Sequence, residues 1–219
     1  MLEFEHKVGV KICGVTNLED ALACADAGAD MIGLNFSPQS VRCITPAIGC
    51  EIIAALRKQF ARVKVAGVFV NQESALVRKI AADLALDAVQ LHGDESADYV
   101  RELDARFVIK ALRIGFSGAA ARVGYDCGAI LLDTWDRARP GGTGRTFPWS
   151  IAAALRPQVT RLILAGGLTS HNVGEAIRTV RPFAVDVSSG VEVAPGRKDE
   201  AKVRAFLEAV RAVEEEKNG

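Results

Sequence analysis

With 219 residues, 49% of them hydrophobic, the chain is long enough for one sizeable core and fits a single domain over 1–219 better than two small ones. Its 27 basic and 27 acidic residues cancel, so no global field draws it to nucleic acid or an anionic membrane, and the expected partner is a small molecule. No apolar run reaches the roughly 18 residues of a membrane span, and Met1-Leu2-Glu3-Phe4-Glu5-His6-Lys7 lacks the basic segment and apolar core of a secretion signal, so a cytoplasmic location is expected.

Short runs rich in Val, Ile, Leu and Ala alternate with longer segments of helical period from end to end, the pattern of βα units around a parallel sheet buried on both faces. The first run, 8–13, stops at Cys13, and a helix over 18–27 follows with Asn17 as its cap. Strand 31–36 leads into a loop carrying Arg42, then a helix over 46–60 with Thr45 as cap and Pro46 in its first turn. Strand 63–70 precedes Asn71 and a helix over 74–84; strand 88–92 ends at His92 and precedes a helix over 96–103. Strands 107–112 and 129–133 come next, the second ending at Asp133. Strand 161–165 runs into Gly166-Gly167, a helix over 172–180 with Ser170 or His171 as its cap, and strand 184–187. Lys198-Asp199 then opens a final helix over 199–215, and only 213–219 reads as a fraying tail.

Eight βα units in this length predict a single-domain (β/α)8 barrel of the TIM type. The competing fold is an open doubly wound sheet, but Cys13-Gly14-Val15-Thr16-Asn17-Leu18 stands where that fold carries a Gly-X-Gly-X-X-Gly turn. In a barrel, chemistry collects where strands end. Cys13, Arg42, Asn71, His92, Asp133, Gly166-Gly167 and the stretch from Asp186 to Gly190 all fall there.

Gly166, Gly167, Ser188, Ser189 and Gly190 follow the seventh and eighth strands, the loops that commonly cradle phosphate in barrels. A phosphorylated ligand is therefore expected. The segment 134–147, with Arg137, Arg139, Gly141-Gly142-Thr143-Gly144 and Arg145, reads as a mobile lid. Asp133 leaves a buried strand at the pocket rim, where partial desolvation favours a proton-donating carboxyl. A thiol acting as base needs the opposite tuning from nearby cations or helix amides. Lys11 is a poor candidate for that help, since alternation does not by itself bring its ammonium to the thiol.

The five cysteines are scattered, without a Cys-X-X-Cys pair, which predicts reduced thiols in place of a disulfide framework or zinc site. Packing is expected for Cys24, Cys50 and Cys127, and a structural place for Cys43 beside Arg42. His6 and His171 read as surface residues. His92 either orients substrate or satisfies a hydrogen bond at its strand end.

Taken in order, Lys11-Ile12-Cys13-Gly14-Val15-Thr16, Gly67-Val68-Phe69-Val70-Asn71, Val89-Gln90-Leu91-His92-Gly93-Asp94-Glu95, Leu131-Leu132-Asp133, Gly141-Gly142-Thr143-Gly144, Leu164-Ala165-Gly166-Gly167-Leu168, Asn172-Val173 and Val185-Asp186-Val187-Ser188-Ser189-Gly190-Val191-Glu192 give the chain a strong resemblance to the phosphoribosylanthranilate isomerases. The resemblance implies a cofactor-independent, metal-free Amadori rearrangement in tryptophan biosynthesis. It implies Cys13 as general base, Asp133 as general acid, and Arg42 as the guanidinium holding the anthranilate carboxylate. His92, Asp186, Gly142 and Gly144 would contact substrate, and Gly166, Gly167, Ser188, Ser189 and Gly190 its phosphate. The chain departs from the family at Ser40-Val41-Arg42, where Val41 replaces the usual proline.

Two other classes stay open. One is a different phosphosugar barrel enzyme: a histidine-pathway ketol-isomerase would pair two aspartates, and an indole-glycerol-phosphate synthase would use strand-end lysine and glutamate, for which Lys110 is the comparable residue. The other is a binding module with the phosphate cradle but no turnover. The even charge balance permits a monomer, preferred over a homodimer.

Overall fold

The computed structural model describes residues 3–4, 8–103, 107–115, 124–135 and 148–216. Strands β1 (Gly9–Cys13), β2 (Met31–Asn35), β3 (Lys64–Phe69), β4 (Ala88–Leu91), β5 (Val108–Gly115), β6 (Ala129–Trp135), β7 (Leu162–Leu164) and β8 (Ala184–Val187) form a closed parallel barrel in sequence order. Gly9, Val10, Lys11 and Ile12 pair with Ala184, Val185, Asp186 and Val187, and this return of β8 onto β1 excludes the open sheet. Around the barrel run α1 (Leu18–Asp26), α2 (Pro46–Gln59), α3 (Ser74–Asp83), α4 (Ala97–Glu102), α5 (Trp149–Leu155), α6 (Val173–Val180) and α7 (Glu200–Glu215).

The continuous apolar strands resolve into two layers. Met31, Ala66, Ala88, Ile109, Ala111, Leu131, Ile163 and Ala184 fill the interior, while Val10, Ile12, Ile32, Leu34, Val65, Leu132, Leu164 and Val185 pack against the helices. Alternation along each strand puts successive side chains in opposite layers. The helices answer with stripes at helical spacing: Val173, Ala176, Ile177 and Val180 on α6, and Val203, Phe206, Leu207, Val210 and Val213 on α7, all buried. Each such leucine- or phenylalanine-sized side chain stabilises by about 1.5–3 kcal/mol on burial.

Helix starts follow the caps read from the sequence. Asn17 Oδ1 accepts from the Asp20 N–H at 2.8 Å and Thr45 Oγ1 from that of Ile48 at 3.3 Å, with Pro46 opening α2. The cap of α6 is instead Asn172, in place of Ser170 or His171. Its side chain accepts from the Thr169 N–H at 2.8 Å and donates to the Gly167 carbonyl at 3.0 Å, so it fastens the loop after β7.

Two strands run past their expected ends. Arg113, Ile114 and Gly115 pair with Asp133, Thr134 and Trp135, because polar side chains at a strand end do not stop a backbone ladder. Thr134 therefore belongs to β6, and the rest of the expected lid, 136–147 with Gly142 and Gly144, lies outside the described residues, as do His6 and 217–219. Lys198 does not open the last helix. It sits in an antiparallel hairpin of β9 (Glu192–Ala194) and β10 (Arg197–Lys198), and Asp199 caps α7 by accepting from the Lys202 N–H at 3.2 Å. Among the described residues no helix is long and apolar enough to cross a membrane.

Candidate active site

Cys13 is the last residue of β1, two places beyond Lys11, so both side chains point into the barrel. Lys11 is 1% exposed, and its Nζ donates to Asp186 Oδ1 of the neighbouring strand at 2.8 Å. Gly33 faces Cys13 across the β1–β2 ladder. A Cβ there would lie 2.8 Å from Cys13 Sγ and 3.1 Å from Lys11 Nζ, so the glycine makes the space in which thiol and ammonium meet. The expectation that Lys11 misses the thiol is thus corrected: both belong to the inner face. Burial pushes the Cys13 thiol up, Lys11 works the other way, and the balance stays above an ordinary thiol. The low-lying thiol expected of a base is not what these neighbours set.

Across the mouth, beyond β7 and β8, Asp133 projects inward from β6, two places after Leu131 of the inner layer. Its Oδ1 accepts from the Thr134 N–H at 2.8 Å, and its Oδ2 lies 3.1 Å from His92 Nε2. Gln90 Nε2 approaches His92 Nδ1 at 2.9 Å. With that amide donating to Nδ1, the hydrogen of the neutral imidazole is on Nε2, directed at Asp133. The two contacts set one donor on each oxygen of the Asp133 carboxylate. His92 thus has a specific partner in Asp133.

The loop bearing His92 rests on a buried pair. Lys110 Nζ donates to Glu95 Oε2 at 2.8 Å and to the Gly93 carbonyl at 2.7 Å, while Glu95 accepts from the N–H groups of Asn71 and Gly93. Lys110 lies between the inward-facing Ile109 and Ala111, so it points out of the barrel, away from the position a synthase lysine would need.

Arg42 reaches the rim from the loop after β2. With Val41 in the turn, Ser40 holds it: the Ser40 Oγ accepts from the Arg42 N–H at 3.1 Å and the Ser40 carbonyl accepts from the Cys43 N–H at 3.0 Å. The guanidinium is gripped by Glu192, with Nε to Oε1 at 2.8 Å and Nη2 to Oε2 at 2.6 Å. Lys198 Nζ donates to the same carboxylate at 2.8 Å and to the Cys13 carbonyl at 2.6 Å. Burial alone would push the Glu192 carboxyl up, but the hydrogen bonds from Arg42 and Lys198 outweigh it and hold the group below the usual carboxylate range. Glu192 was legible only as a motif residue and Lys198 only as a helix opening; their partners are 150 and 185 positions away.

Gly166 and Gly167 have φ of +88° and +66°, a region that favours glycine. A Cβ on Gly166 would come within 2.2 Å of Thr134 Oγ1. Ser188 leads into a short 3-10 turn, Ser189–Val191, so the loops after β7 and β8 lie side by side on the rim that carries Cys13 and Asp133. Of the other thiols, Cys24 is packed, with burial pushing it up to about 12, and Cys127 donates to the Ala129 carbonyl. Cys50 and Cys43 are exposed, which corrects the packing expected for Cys50: it faces outward from α2. All five thiols are free, and His171 is exposed. Among the described residues no group of three or more His, Cys, Asp or Glu side chains could hold a metal ion.

A closed barrel with a thiol and a carboxylate on opposite sides of its rim suits a reaction that moves a proton between carbon and oxygen, and the proteins this chain is similar to are sugar isomerases of the aldose–ketose class. A family model described as N-(5'phosphoribosyl)anthranilate (PRA) isomerase matches residues 10–209. The chain is 49% identical over 201 residues to the N-(5'-phosphoribosyl)anthranilate isomerase of Geobacter sulfurreducens, covering 91% of this chain and 97% of that one. It is similar to the crystal structure of monomers generated from the dimeric isomerase of Thermotoga maritima, with a TM-score of 0.80, 40% identity, and coverage of 94% and 99%. A complex of phosphoribosyl anthranilate isomerase with reduced 1-(o-carboxyphenylamino)-1-deoxyribulose 5-phosphate matches equally, at TM-score 0.80, 40% identity, and coverage of 94% and 99%. The chain belongs to the N-(5'-phosphoribosyl)anthranilate isomerase family.

Proposed function

We propose that Cys13 is the general base and Asp133 the general acid of an Amadori rearrangement. The activity is that of the family, isomerisation of N-(5'-phosphoribosyl)anthranilate to 1-(2-carboxyphenylamino)-1-deoxyribulose 5-phosphate in tryptophan biosynthesis. Asp133 protonates the ribose ring oxygen as the C1–O bond breaks and the nitrogen lone pair forms a C1=N bond. The Cys13 thiolate then takes the C2 proton; the released pair becomes C1=C2, the C1=N pair returns to nitrogen, and the enolamine tautomerises to the ketone. His92 and the Thr134 N–H take up the charge left on Asp133.

Arg42 takes the anthranilate carboxylate with the donors that Glu192 leaves free. Gly166, Gly167, Ser188, Ser189 and Gly190 receive the phosphate, and Asp186, Gly142 and Gly144 complete the substrate contacts. A single domain over 1–219, a monomer and a cytoplasmic location complete the reading. The observation that supports it most is the His92–Asp133 contact at 3.1 Å on the rim that also carries Cys13.

The test follows loss of substrate fluorescence with purified protein. Turnover is expected, and Arg42→Ala should raise KM more for the natural substrate than for an analogue without the carboxylate. Equal effects on both substrates remove Arg42 from this role, and binding without turnover removes the acid–base assignment. Light scattering after gel filtration reads the oligomeric state, with a dimer mass overturning the monomer.

A further inference from the structure

We propose that Lys11 is the charge partner that favours the Cys13 thiolate against the cost of burial, with Asp186 as the counter-ion of its ammonium. This rests on Cys13 being the base. A neutral thiol is a poor proton acceptor, so the base must reach its anionic form in a pocket whose burial disfavours charge.

Four charged groups face it: Lys11 on β1, Asp186 on β8, Lys198 on the hairpin and Arg42 in the loop after β2. Lys198 is directed to the Cys13 carbonyl and to Glu192, and Arg42 is clamped by Glu192. Lys11 is differently placed. Its ammonium and the Cys13 sulfur flank the same point above Gly33, 3.1 and 2.8 Å from it, so they are no more than about 6 Å apart, within the range at which an opposite charge favours ionisation. An ammonium carries three donors, and Asp186 Oδ1 engages one of them at 2.8 Å.

Lys11 is itself kept charged. Burial would lower it, but Asp186 and then Cys13 outweigh that and hold the ammonium above the ordinary lysine range. A lysine so held is no amine nucleophile toward the sugar carbonyl, which leaves an electrostatic task. In the proton-transfer step the C2 proton moves to Sγ, the thiolate becomes a thiol, and Lys11 keeps its pairing with Asp186. Before the step the one ammonium faces two anions, the thiolate and Asp186; after it Lys11 and Asp186 remain as a neutral pair.

The test reads the thiol directly. Site-resolved alkylation of Cys13 by iodoacetamide, followed against pH by mass spectrometry in the full chain, gives the midpoint of thiolate formation, with the exposed Cys43 and Cys50 as internal controls. Lys11→Met combined with Asp186→Asn, which leaves no buried charge unpaired, is expected to move the Cys13 midpoint up by at least about one unit, a tenfold loss of thiolate at neutral pH. The rising limb of kcat/KM should move with it. An unchanged midpoint overturns the proposal. Asp186→Asn alone, which keeps the ammonium and removes the opposing carboxylate, is expected to lower the midpoint, and a rise or no change there also overturns it. Undiminished turnover in Cys13→Ala would instead sink the base assignment itself, so the two failures are distinguishable.

Discussion

Replacing Glu192 by glutamine keeps the side chain's shape but removes the charge that joins Arg42, Lys198 and the backbone of Cys13. The carboxylate accepts from Arg42 at 2.8 and 2.6 Å and from Lys198 at 2.8 Å, with side-chain exposures of 18% for Arg42 against 4% for Glu192 and 2% for Lys198. The Lys198 contact is buried, and losing the anion leaves that ammonium without a counter-charge, a disruption worth about 3–5 kcal/mol. Because glutamine still accepts one hydrogen bond and Arg42 is partly screened by solvent, the net loss is set near the low end, about 3 kcal/mol. For a chain of this length that lowers Tm by about 6–12 °C. The sign of the pH dependence follows from the depressed carboxyl. Its stabilisation is fully present above the ordinary value of 4.5 and is lost as pH falls below it toward the folded-state value, so the wild type gains stability with rising pH across that window and Glu192→Gln loses that part of the gain. Differential scanning fluorimetry from acid to neutral pH measures both, and steady-state kinetics should show KM raised about tenfold or more, as for loss of a charge-assisted tether, with a smaller effect on kcat. A wild-type Tm with an unchanged pH slope would refute the reasoning.

Gly33→Ala places a methyl 2.8 Å from Cys13 Sγ and 3.1 Å from its Cα. The thiol must shift, with an overpacking cost of about 1–3 kcal/mol and a fall in kcat of about tenfold or more, as a misplaced reacting group gives; wild-type kcat in this variant would show that the close approach carries no function. Lys110→Met strands Glu95, whose side chain is 2% exposed, at a cost of about 3–5 kcal/mol. Thermal unfolding should drop by about 6–20 °C, and adding Glu95→Gln should recover much of it. An unaltered midpoint in the single variant counts against the pair's supporting role.

The barrel was legible because its strands are buried on both faces, which writes them as nearly unbroken apolar runs, and Cys13 and Asp133 stood out because a polar residue ended such a run. The same property hid Lys11. A run apolar on both faces carries no mark of which side chains look inward, and only the pairing of Lys11 with Asp186 across the β1–β8 seam settles it. Arg42 was legible as a candidate, but its grip by Glu192 was not, since a hairpin 150 residues away supplies the anion. Gly33 carried a readable signal, a glycine within an apolar strand beside the one that ends in Cys13. The cap of α6 and the extra length of β5 and β6 show the limit of local rules: tertiary hydrogen bonds and continued strand pairing set those boundaries.

The division of labour between Cys13 and Asp133 is tested most directly by kcat in Cys13→Ala and Asp133→Asn, measured by fluorescence decay with substrate binding checked separately. Each is expected to lose at least about 10² to 10⁴ in kcat, as for removal of a general base or acid, while binding persists. Cys13→Ala turning over at the wild-type rate would contradict the account.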